Sequence, residues 1–250
     1  MKRYKIVVAA VAAALGLGVQ AAHANGISTP TWSAYYNLGS GSYTALANLS
    51  SGTCAASGSG CFYYSTYAGS AALGDFNNIT LQLNGYPNQS LPTLQDAGTY
   101  SVASNGSLTG TGQINFVFVE SGLNVPQGNT VFNTAFGTTL LNSASATQTY
   151  YYDASLTGGI SSAGGNAFNF SNTGMTMLGQ AVNVNNTSST PVSGISGSYS
   201  LVETISISNA KAKGAGLSAD DSVSVPEPAT LGLMGLALVG AGLARRTRKS

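Results

Sequence analysis

Apolar side chains recur at every second position along this chain, and no segment between residues 25 and 210 shows the three-to-four spacing of an amphipathic helix. From Ser198 to Ser208, Tyr199, Leu201, Ile205 and Ile207 fall on one side, with Ser200, Thr204 and Ser206 on the other. Ile79, Leu81 and Leu83 repeat the alternation. Ile114-Asn115-Phe116-Val117-Phe118-Val119 is apolar at all positions but one, as in a strand covered on both faces. These runs are rich in β-branched and aromatic residues, which suit a pleated surface. Asn84-Gly85 and Asn105-Gly106 follow alternating segments and are expected to form tight hairpin turns, because Asn-Gly supplies the positive φ angles such turns need. With no fixed-period repeat, the expectation is an all-β chain whose body is one β-sandwich or jelly-roll-like domain.

Its core should be thin. Ser, Thr, Asn and Gly make up 100 of the 201 residues from 25 to 225, and Leu, Ile, Val and Phe only 42. That apolar share sits near the ~20% level below which chains stop folding. Twelve tyrosines in the same span help fill the deficit. Charged residues are 7% of the chain, against about 25% in ordinary domains. Between Asn25 and Ala210 there is no Lys, Arg or His, and the one histidine is His23. Serine nucleophiles therefore lack an imidazole or amine to activate them. Covalent Lys–Asn cross-links between strands are excluded with the lysines. Nucleic acid is excluded as a partner too, since phosphate binding depends on Lys and Arg.

The two ends carry targeting information. Lys2, Arg3 and Lys5 precede an apolar run from Ile6 to Val19 and then Ala22-His23-Ala24. This is the pattern of a signal peptide over residues 1–24, cut by signal peptidase between Ala24 and Asn25. At the other end, Val225-Pro226-Glu227-Pro228 precedes an uncharged stretch from Ala229 to Ala244, then Arg245, Arg246, Arg248 and Lys249. As a helix, 229–244 would span roughly 24 Å, a little less than a bilayer core. The basic cluster should stop transfer and stay cytoplasmic. Residues 245–250 form that basic tail, and Lys211 to Ser224 reads as a flexible linker from the body at 25–210.

The order Val-Pro-Glu-Pro-Ala-Thr, Gly/Leu-rich helix and Arg-rich terminus resembles the PEP-CTERM sorting signal of Gram-negative bacteria, over about the last 26 residues. The resemblance implies processing by an exosortase, a membrane-embedded cysteine transpeptidase that would recognise Pro226, Glu227 and Pro228. It also implies a membrane-held precursor and association of the product with exopolysaccharide or biofilm. Two prolines block helix propagation and keep the motif extended.

Within the body, Cys54 and Cys61 are the only cysteines. In an oxidising compartment they are expected to form a disulfide closing a short loop. Two thiols without histidine do not complete a zinc site. The acids are Asp75, Asp96, Glu120, Asp153 and Glu203, with Asp220 and Asp221 in the presumed linker. Glu120 and Glu203 border or interrupt apolar strands and are the better candidates for a hydrolytic pair. Oxygen-ligated Ca²⁺ is the one cofactor left open, although no Asp-x-Asp-x-Asp-Gly loop is present. Tyr150 and Tyr152 should share one strand face, opposite Tyr151, where they either pack in the core or form a platform for sugar rings. The leading expectation is an exported, non-catalytic surface or matrix protein. A carbohydrate-binding module using the tyrosines and a carboxylate- or calcium-dependent hydrolase are the alternatives.

Overall fold

The computed structural model describes most of residues 31–225; residues 1–30, 226–250 and several loops, including 155–166, lie outside the described residues. The signal peptide with Ala22, Ala24 and Asn25 falls there, as do Pro226 to Pro228, the 229–244 helix, the basic tail, Cys54 and Asn105-Gly106.

The chain begins with β1 (Thr31–Asn37), β2 (Tyr43–Ala45), β3 (Ser50–Ser51), β4 (Ala55–Ser57) and β5 (Gly60–Gly69). There follow β6 (Phe76–Pro87), β7 (Leu94–Ser104), β8 (Ile114–Leu123), β9 (Gly128–Leu141) and β10 (Ser145–Asp153). The last five are β11 (Ala167–Phe168), β12 (Thr176–Val182), β13 (Asn186–Ile195), β14 (Tyr199–Ser208) and β15 (Gly216–Ser224). No helix occurs among the described residues. A seven-stranded sheet runs β11-β2-β1-β8-β14-β10-β12, and an eight-stranded sheet runs β13-β9-β15-β7-β6-β5-β3, with β4 beside β5. The strand pairings are antiparallel throughout. The all-β expectation holds.

Side chains from both sheets meet in the core. One end is filled by Phe76, Ile79, Leu81, Val102, Ile114, Phe116, Ile205, Ile207 and Leu217. The other is filled by Leu123, Phe132, Phe136, Leu178, Tyr199, Leu201, Val223 and Val225. As expected, Tyr199, Leu201, Ile205 and Ile207 of β14 share the inner face. Strand β8 is covered on both sides: Ile114, Phe116 and Phe118 point inward, while Val117 and Val119 pack with Tyr35, Tyr151 and Val202 on the outer face.

Two expectations fail. Asn84-Gly85 is no turn: it lies inside β6, opposite Ala97 and Asp96 of β7. The hairpins that cross between sheets instead turn on Asn142 (φ 47°) and Asn183 (φ 59°), whose short amide side chains tolerate the left-handed region. The side chain of Asn183 accepts from the Ala146 N–H at 2.7 Å and its own N–H donates to the Ala146 carbonyl at 2.9 Å, which pins that turn. Nor is 211–224 a linker. Gly216–Ser224 is β15, paired with β7 on one side and β9 on the other, so the body extends to Val225. Leu217, Ala219, Asp221 and Val223 are buried while Ser218 and Asp220 are exposed, a strand alternation masked by the acid in the series.

Candidate functional site

The centre of the sandwich, between its two apolar ends, holds a polar cluster. Glu203 sits on the inner face of β14, and Asp221 faces it from β15 of the opposing sheet. Tyr150 Oη donates to Asp221 Oδ1 at 2.9 Å and Gln148 Nε2 donates to Asp221 Oδ2 at 3.1 Å, both from β10. Tyr100 Oη, from β7, donates to Glu203 Oε2 and lies 3.5 Å from Asp221 Oδ1. Thr138 Oγ1 of β9 donates to Gln148 Oε1 at 2.6 Å. Tyr100 reaches the acids by lying over Gly98: a Cβ there would stand 1.8 Å from its hydroxyl oxygen, so only glycine leaves room. The Gly98 backbone also hydrogen-bonds Asp221. None of Tyr100, Gln148, Tyr150, Glu203 or Asp221 is more than 5% exposed.

Burial sets the protonation. Desolvation pushes Glu203 well above the carboxylate range, and the neighbouring Asp221 charge pushes it further. Asp221 is also raised by burial, but hydrogen bonds from Glu203, Tyr150 and Gln148 stabilise its charged form. The proton therefore resides on Glu203, and Asp221 is the more acidic member of the pair. Tyr100 is held well above its ordinary value by burial and then by the two acids, so it stays a donor.

Glu120 and Glu203 do share the inner face. Glu120 stands opposite Leu201 and Glu203 opposite Phe118, which makes them diagonal neighbours across β8 and β14. They are 0% and 2% exposed, however, and a glycosidic bond cannot reach either. Both Glu120 oxygens lack a hydrogen-bond partner, and burial raises its carboxyl well above the usual range. The pair is a feature of the core and not a hydrolytic cleft. The tyrosine platform is corrected likewise. Tyr150 and Tyr152 share a face opposite Tyr151, but that face is the interior, where Tyr150 packs on Phe136 and Tyr152 on Phe132 and Tyr199. Among the described residues no group of three or more His, Cys, Asp or Glu is placed to hold a metal. Cys61 lies in β5 opposite Ala56, and its expected partner Cys54 is outside the described residues.

Sequence reasoning named Glu203 and Tyr150, assigned Asp221 to a linker, and did not single out Tyr100, Gln148 or Thr138. The strand alternation of 216–224 and the inner-face spacing of Gln148, Tyr150 and Tyr152 were the available signals.

The remaining chemistry lies at the C-terminal edge. Val225, buried among Leu123, Tyr199 and Val223, is followed directly by Pro226. Thr31 pairs with Ser121 close to Leu123, so the body's first strand starts and its last strand ends at the same end of the sandwich. No curated protein and no solved structure matches the chain. Its last residues do match a family model, and that match implies an exported protein, membrane-anchored as a precursor and processed by an exosortase. Across residues 224–249 the chain carries a PEP-CTERM protein-sorting motif.

Proposed function

We propose that this protein is a non-catalytic surface or extracellular-matrix component, delivered by exosortase processing and associated with exopolysaccharide or biofilm. The observation that carries the reading is the sorting motif at 224–249, joined without a spacer to the buried end of the last strand. Pro226, Glu227 and Pro228 are the recognition residues, the 229–244 helix anchors the precursor, and Arg245, Arg246, Arg248 and Lys249 hold its tail in the cytoplasm. The leader is removed after Ala24. Six residues then lead to Thr31, at the same end of the sandwich as Val225.

Two further features support a structural role. Titratable groups near the centre are enclosed in the core, away from any substrate. Exposed strand positions of β13, Asn186, Thr187, Ser189 and Ser193, offer neutral hydroxyl and amide groups suited to hydrated polysaccharide without charge steering. The test is the intact mass of the exported form. A product starting at Asn25 and ending near Pro226–Pro228 is expected; persistence of the Arg-rich terminus would remove exosortase processing.

A further inference from the structure

The polar cluster contains more than acids. Thr138 and Gln148 belong to different sheets, yet the threonine hydroxyl touches the glutamine amide at 2.6 Å. The nitrogen of that amide touches Asp221, and Asp221 is joined through Tyr100 to Glu203. Gln148 is 1% exposed and Asp221 5%, so the amide sits in a dry pocket beside a proton-bearing carboxyl pair. The threonine is itself positioned, because its backbone N–H donates to Asn185 Oδ1 at 2.6 Å. A hydroxyl, an acyl group and an acid fixed in one place are the components of acyl substitution.

We propose that Thr138 and Gln148 react to form an intramolecular ester that ties the two sheets together. Rotation of the threonine side chain brings Oγ1 from the amide oxygen onto the amide carbon. The Oγ1–Cδ bond forms and the Cδ–Nε2 bond breaks. Asp221, the charged member of the pair, takes up the proton that the threonine hydroxyl releases and passes it from Oδ2 to the departing nitrogen, while Glu203 keeps its own. The products are the ester and ammonia, with no change of oxidation state and no co-reactant. Ammonia escapes and dilutes as ammonium, while the burial of Gln148 limits the access of water to the acyl carbon for the return attack. In a body without lysine between residues 25 and 210, a hydroxyl takes the nucleophile's place.

The experiment uses the purified exported protein. Its intact mass should fall about 17 Da below that expected from the sequence after trimming and any disulfide, the loss of one ammonia. A chymotryptic digest should return residues 137–140 and 142–150 as one covalent species although the chain between them is cut. Thr138→Val, which keeps the shape of the side chain, should restore the full mass, and Asp221→Asn should leave most molecules unlinked. An unmodified wild-type mass overturns the proposal. So does a 17 Da loss that persists in Thr138→Val, which would place it at an asparagine that has cyclised. If a variant fails to fold, the wild-type digest alone decides.

Discussion

An acid in a dry interior is tolerated either by keeping its proton or by collecting donors, and this core shows both solutions side by side. Glu203 keeps its proton, whereas Asp221 collects Tyr150, Gln148 and the Gly98 backbone. Glu120 has only the first option, since neither oxygen has a partner. The folded values of all three are raised. Their contribution to stability is thus complete below the ordinary carboxyl range and is lost as pH climbs through the raised values. Thermal unfolding followed from pH 4 to pH 9 should show the melting temperature fall with rising pH. Glu203→Gln mimics the protonated acid, donating to Asp221 and accepting from Tyr100; it should flatten that slope and gain on the order of 1 kcal/mol at pH 8. Equal slopes in the two proteins would refute the assignment. Glu120→Leu should stabilise the body at neutral pH by about 1–3 kcal/mol, read from denaturant midpoints, because an unpaired buried carboxyl is replaced by an apolar group on an apolar face.

At the level of elements, the periods of β8 and β14 were legible because their inner faces are aromatic or aliphatic almost without interruption. Strand β15 was not, and the reason is local. Its inward series is Leu217, Ala219, Asp221 and Val223: two large apolar residues, one small one and one acid. Rings from other strands, above all Tyr100 and Tyr150 around Asp221, supply what those residues lack. Nothing in a short window reveals neighbours that distant. The central cluster was hidden for the same reason, since its members come from five strands and become a group only when the sheets close. Asn84-Gly85 misled in the opposite direction, because pairing with both β5 and β7 overrode a favourable turn dipeptide. Ending the body at residue 215 should abolish cooperative unfolding, whereas ending it at Val225 should leave the melting temperature unchanged. Leu217→Ala, fully buried at 0% exposure, should cost about 2–5 kcal/mol. A flexible linker would show none of these effects.

For the whole molecule, the all-β class and the sorting address could both be reasoned from sequence, one from period and the other from the order of motif, apolar stretch and basic tail. The arrangement of the sheets could not, because any two-sheet order satisfies the same alternation. That order places β15, the last strand among the described residues, between β7 and β9, in the interior of its sheet. A polypeptide exported from its N-terminus delivers β15 last, with the address close behind it. Until then two ladders of backbone groups stand open and facing each other. A ribosome that stops early, or a chain clipped during passage, leaves that gap unfilled and the product open to proteases. Completion of the fold therefore requires synthesis up to the threshold of the address.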